Sequence, residues 1–145
     1  MFNKETEYAL RSLVYIQQQN YQKHRPGIDE IATEIEAPRP FTAKILQRLV
    51  KLGFVDSIKG KGGGFLFDQG KPDLPLKDLI IATEGGTLFT GCGFGMKYCS
   101  VENPCPLHEQ YAPIRDSINK LVSDETIQSL ALKTNYSFKN HPVQP

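Results

Sequence analysis

This 145-residue chain is short of long apolar runs, cysteine, net charge and catalytic signatures. No apolar stretch is long enough to span a bilayer. The start, MFNKETEYALRSL, carries Glu5 and Glu7 and has no apolar h-region, so no signal peptide is expected. The chain has 3 cysteines, an odd number, which argues against a disulfide framework. Together these two absences predict a reducing, cytoplasmic setting. A net charge of +1 does not by itself point to nucleic acid. No nucleophile–base pair or carboxylate pair stands out. The segment KGKGGG is glycine-rich but lacks the G-K-[ST] ending of a phosphate-binding loop, so no enzyme is expected. There is no internal repeat.

What is present is a dense cluster of soft ligands. Cys92, Cys99 and Cys105 follow C-x₆-C-x₅-C in the glycine-rich run GCGFGMKYCSVENPCPLH, and His108 comes three residues after the last cysteine. Structural zinc sites usually pair cysteines in C-x₂-C knuckles, and none occurs here. Three thiols spread over a glycine-rich loop suit an iron–sulfur cluster better, with a fourth ligand from elsewhere. His108 is the nearest candidate. The bland alternatives are three cysteines acting as small apolar side chains and a solvated histidine on a first helical turn.

Charge is unevenly spread. Residues 1–67 hold ten Lys/Arg against seven Asp/Glu, while residues 68–145 hold seven against nine. The first half also has a recognisable order of elements. Periodicity predicts a helix over 3–19, with Leu10, Leu13, Val14 and Gln17 on one face. A polar loop ending in Pro-Gly leads to a short helix over about 28–36, then to the break APRP. The next helix, about 39–52, has Phe41, Ile45, Leu49 and Leu52 as its expected buried stripe, and Gly53 is placed to end it. Two apolar stretches, Phe54–Ile58 and Phe65–Phe67, flank KGKGGG as a hairpin. Helix, short helix, turn, helix and hairpin together spell a winged helix-turn-helix over residues 1–70.

In such a fold the N-terminal end of the second helix enters the major groove. Here that end presents Arg39, Phe41 and Thr42. Arg39 and Thr42 are candidates for base or phosphate contacts, and Lys44, Arg48 and Lys51 for phosphates. The small basic tip with Lys59, Lys61, Gly62 and Gly63 could enter a minor groove or track the backbone. Either feature alone could be a solvated helix face or a plain turn; their order makes double-stranded DNA the expected partner.

Residues 71–105 should hold a connecting helix over 76–84 and the cysteine loop. Residues 106–133 should form a dimerisation region, with Leu107, Tyr111, Ile114, Ile118 and Leu121 as a heptad-like seam. Pro113 should kink or restart it. Ser123, Asp124 and Glu125 read as the cap and first turn of another short helix, through about Leu132. Residues 134–145 read as a flexible tail. The expected fold class is therefore mainly α with a small β wing: a winged helix-turn-helix plus a C-terminal dimerisation helix.

These motifs, in order, resemble the IscR/NsrR-type (Rrf-two) family of iron–sulfur winged-helix transcription regulators over about residues 1–133. The resemblance rests on ETEYALRSLVYI, DEIA, FTAKILQRLVKLGFVDS, KGKGGGF, LKDLIIATEGG and the three-cysteine loop. It implies a homodimer that binds specific DNA sequences, and a 2Fe–2S cluster on Cys92, Cys99 and Cys105 that senses redox, nitric oxide or iron–sulfur status. His108 stands where IscR-like members have a histidine ligand. Glu7 stands near the place where NsrR-like members have an N-terminal aspartate donated by the partner subunit. The fourth ligand is thus His108, with Glu7 the alternative. A different class of reading remains beside this one: a metal-binding or redox protein whose winged helix docks a protein partner.

Overall fold

The computed structural model describes residues 2–133; the expected tail, 134–145, lies outside them. The chain forms two compact units. Of the described residues, one unit comprises 2–74 together with Ile127–Lys133, and the other spans Pro75–Thr126.

The first unit begins with α1 (Lys4–Tyr21). Asn3 caps it, its side chain accepting the Thr6 backbone N–H at 2.8 Å, and Glu5 and Glu7 sit in the first turn where the helix dipole favours them. Its buried face holds Thr6, Ala9, Leu13, Ile16 and Gln17. The face is therefore rotated from the expected one, and Leu10 and Val14 are only half-buried. The short α2 (Ile28–Glu34) buries Ile31 and Ala32, and Ile35 is buried just past its end. The break after it turns at Glu36, whose φ is +55°.

Next, α3 (Arg39–Lys51) starts with a proline in its first turn, where a missing N–H costs nothing. It ends in a Schellman motif: the Phe54 N–H bonds the Leu49 carbonyl and the Gly53 N–H bonds that of Val50, both at 3.0 Å, with Gly53 at φ +78°. The buried stripe of α3 is Thr42, Ile45, Leu46 and Leu49. Phe41 and Leu52, expected inside, are 59% and 44% exposed. The inward face of α3 is displaced by one residue at its N-terminal end, because α1 and α2 both pack on α3 and together select the Thr42 side.

Strands β1 (Asp56–Ile58) and β2 (Gly64–Leu66) form an antiparallel hairpin in which Ser57 faces Phe65. Asn20 clamps this wing to the end of α1. Its side chain donates to the Phe65 carbonyl at 3.2 Å and accepts the Phe67 N–H at 2.8 Å. The Phe65 N–H also reaches the Pro26 carbonyl at 2.9 Å. Gly64 permits this approach: a Cβ there would lie 2.3 Å from the Arg25 carbonyl oxygen. The unit closes with α7 (Ile127–Lys133), which packs against α1. The sequence had grouped these residues with the dimerisation region; the structure groups them with the winged helix.

The second unit starts with α4 (Leu76–Glu84), which buries Leu76, Leu79 and Ile80 and ends at Gly85 with φ +89°. A one-turn helix, α5 (Thr87–Thr90), follows and buries Phe89. The sequence reading had placed that stretch in the cysteine loop. The long α6 (His108–Asp124) packs on α4 and α5. It continues unbroken through Pro113, so the helix does not restart there. Pro113 leaves the Glu109 carbonyl without its helical donor, but both residues are exposed, so water can serve that oxygen. Ser123 and Asp124 also belong to α6 instead of opening the next helix. Glu125 is extended, and its carbonyl accepts the Leu76 N–H at 2.9 Å, as Thr126 forms a bridge with Pro75. None of the helices described is long and apolar enough to cross a membrane.

Candidate DNA interface and cysteine centre

On α3 the outward positions are Arg39, Phe41, Lys44, Gln47, Arg48 and Lys51. Together with Lys4, Glu5 and Tyr8 of α1, most of them line a groove of about 850 Å³. The first-turn arginine and the later one are both held by carboxylates. Arg39 Nε donates to Asp29 Oδ1 and Arg48 Nη1 to Glu5 Oε1, all four side chains being at least a third exposed. These pairs hold the guanidinium groups without burying them.

Thr42 requires a correction. It was expected to contact bases or phosphates, but it has no exposure, and its hydroxyl donates to the Pro38 carbonyl at 3.0 Å. It braces the first turn of α3 from inside. Lys4 and Gln47 face the groove and were missed. Only the packing of α1 on α3 brings the lysine to that face.

At the wing tip Lys59 and Lys61 are exposed. Gly60 and Gly62 take φ +92° and +79°, and the Gly63 N–H returns to the Gly60 carbonyl at 3.0 Å. A Cβ on Gly63 would fall 2.1 Å from the Ile58 carbonyl oxygen. The tip is therefore a tight glycine turn carrying two cations.

In the second unit the three cysteines and His108 come together in pairs. Cys92 Sγ donates to Cys105 Sγ at 3.3 Å, and Cys99 Sγ lies 3.5 Å from His108 Nδ1. Cys92 follows α5, and His108 opens α6, its N–H bonded to the Cys105 carbonyl at 3.0 Å. The turn after Cys92 aims backbone N–H groups at its sulfur. Those of Met96 and Phe94 hold the thiol below its ordinary pKa, and the Cys105 side chain and the Gly95 N–H add to this. Among the described residues, no three or more His, Cys, Asp or Glu side chains are grouped so as to hold a metal ion.

Two further residues of α6 engage this loop, and neither was anticipated. Gly93 lies against the ring of Tyr111, where a Cβ would come within 2.6 Å of ring carbons. Tyr111 thus supports the loop, although the heptad pattern had given it to the seam. Arg115 Nη1 donates to Cys99 Sγ at 3.1 Å and to the Gly91 carbonyl at 3.2 Å. The Cys99 sulfur holds the guanidinium further up than usual. Glu7, the alternative fourth ligand, lies on α1 in the first unit. Its carboxylate pairs with Lys4 at 3.5 Å, and Arg11 stacks on the Tyr8 ring at 5.3 Å.

A helix-turn-helix, a basic glycine wing and a cation-bearing outer face on α3 define a winged-helix DNA-binding protein. Comparison with known proteins makes the class specific. The family of iron-dependent transcriptional regulators called Rrf2 matches residues 2–133. The chain belongs to the Rrf2 family: it is a transcriptional regulator and not an enzyme. It is 29% identical over 132 residues to a protein of Aquifex aeolicus named as an HTH-type transcriptional regulator, covering 90% of each chain. It is 28% identical over 103 residues to the HTH-type transcriptional regulator NsrR of Bacillus subtilis, covering 68% of this chain and 67% of that one. Among solved structures, it resembles CymR, the global cysteine regulator of B. subtilis, with a TM-score of 0.73 at 19% identity over 93% of this chain and 98% of that one. T. potens IscR matches with a TM-score of 0.67 at 16% identity over 100% and 93%. These two likenesses establish the fold.

Proposed function

We propose that this regulator is a homodimer that binds specific DNA sequences, and that a 2Fe–2S cluster on Cys92, Cys99, Cys105 and His108 controls that binding. The observation that carries the reading is the pairing of the donors. A binuclear iron centre takes two protein ligands on each iron, and mixed sets in which histidine replaces cysteine are known chemistry. Cys92 with Cys105 offers one pair; Cys99 with His108 offers the other. A mononuclear zinc site would need four donors around one point, and no such grouping occurs among the described residues. The N–H groups around Cys92 favour a sulfur bearing negative charge, as a metal-bound thiolate does.

When bound, the cluster would supply an electron-accepting, oxidant-sensitive centre. The protein's own part is to present the donors and to read their order. Cys92 lies just beyond α5 and His108 at the start of α6, so filling both pairs would tie these two helices to one loop. The state of that loop can then alter how the two heads of a dimer are held, to the extent that the ordered and empty forms differ in DNA affinity. On the DNA side, Arg39, Phe41, Lys44 and Arg48 on α3 and Lys59, Lys61, Gly62 and Gly63 at the wing are the proposed contacts. The proposed dimer seam is α6, where Ile114 and Leu121 are 58% and 55% exposed and, with Pro113 and Ile118, line an apolar groove of about 370 Å³.

Anaerobic purification followed by visible absorption and iron and sulfide analysis tests the cluster. Substituting His108 and Glu7 by Ala then separates the two candidate ligands: loss of the true one alters the spectrum, and loss of the other leaves it intact. Operator affinity should differ between loaded and metal-free protein. Equal affinities would remove the switch, and binding with no salt dependence would favour a protein partner over DNA.

A further inference from the structure

Arginine is rarely taken out of water unless its charge is answered. The Arg115 side chain is only 13% exposed. Its neighbour in sequence, Asp116, is a poor answer: that carboxylate is 69% exposed and 3.4 Å away, on an adjacent position that does not share a helix face. The close partners lie in the cysteine loop. Nη1 reaches Cys99 Sγ at 3.1 Å and the Gly91 carbonyl at 3.2 Å. A neutral thiol is a weak acceptor, but a sulfur carrying negative charge is a strong one. The part-buried guanidinium thus has its close contacts on the Cys99 sulfur and the Gly91 carbonyl, where it would best answer a metal-bound sulfur.

We propose that Arg115 is a positioning residue for the cluster: it fastens the 91–99 segment to α6 and sets the reduction potential through its charge and N–H on the Cys99 sulfur. This rests on the two-iron reading above. Reduction adds one negative charge to a centre already bearing three thiolates. A fixed cation and a hydrogen bond on one sulfur favour that added charge and raise the potential. Because Arg115 lies on the proposed dimer helix, the same contact is a direct mechanical link between the Cys99 sulfur and α6.

The test uses Arg115→Gln and Arg115→Lys in the full chain. On reconstituted protein, potentiometry should give a lower reduction potential for the Gln variant, with the Lys variant near wild type because it keeps the charge. On metal-free protein, hydrogen exchange should speed up several-fold over 91–99 in the Gln variant and stay unchanged in α1–α3. If the Gln variant loses its cluster, retention by the Lys variant supports the charge role, and loss by both variants with unchanged circular dichroism overturns it. A Gln variant that keeps both its cluster and the wild-type potential also overturns it. Wild-type protein that takes up no iron would overturn the cluster reading instead. The exchange measurement would still decide whether Arg115 fastens the loop, since unchanged exchange rules that out.

Discussion

The Thr42 hydroxyl donates to the Pro38 carbonyl oxygen at 3.0 Å from a side chain with no solvent exposure. The first turn of α3 is thus braced from within, behind the surface that carries Arg39, Phe41 and Lys44. Replacing Thr42 by Val keeps the shape and removes one buried hydrogen bond, which should cost about 1 kcal/mol of stability. Preference among operator sequences should not change. Urea unfolding beside a panel of operator variants checks this; a shift in base preference at unchanged stability would return Thr42 to the reading surface.

Arg39 and Arg48 are held by Asp29 and Glu5 in the free protein. Neutralising these carboxylates with Asp29→Asn and Glu5→Gln should change stability little, since exposed ion pairs are worth about 0–1 kcal/mol. DNA affinity at low salt should rise. Release of Arg39 from Asp29 for a phosphate should steepen the slope of log K against log salt by about 0.9. Discrimination should fall in step, because an untethered guanidinium binds any phosphate. Titrations on specific and random duplexes at several salt concentrations measure both effects.

The wing glycines should separate sharply. Gly64 has φ +138°, and a Cβ there would overlap the Arg25 carbonyl, so Gly64→Ala should cost more than about 2 kcal/mol. Gly62 has φ +79° with nothing in reach of a Cβ, so Gly62→Ala should cost only about 1 kcal/mol of backbone strain. Thermal unfolding of the two variants gives the comparison. Equal losses would mean that the wing does not press on the loop after α1.

On α6 two sets of residues should have different roles. Ile114→Asp with Leu121→Asp should yield a monomer by sedimentation, since both side chains are more than half exposed on one apolar strip. Tyr111→Ala should leave the association state unchanged and loosen the cysteine loop, because the Tyr111 ring meets Gly93. A monomeric Tyr111 variant would put that ring back in the seam.

The order of elements was legible because its signals are local. The Schellman end at Gly53 and the stop at Gly85 each need only a few neighbouring residues, and α4 begins and ends where its periodicity says. The cysteines and His108 were legible as a group for the same reason, being confined to one short loop. The restart expected at Pro113 does not occur, because a proline can stay in a helix where the residue four places earlier is exposed to water, and nothing in the local sequence announces that exposure.

By itself the sequence determined the helix–turn–helix–wing order, the glycine turn with its two cations, and the set of cysteines with His108. All of these depend on backbone preferences and spacings that act over a few residues. Only the tertiary structure decided which side of each helix faces inward. A stripe of period 3.6 can be shifted by one residue, and α1 and α2 packing on α3 selected Thr42 over Phe41. It also decided that α7 joins α1, and that Arg115 reaches Cys99 sixteen residues away. Those pairings depend on where folded elements meet, and a linear spacing does not record that.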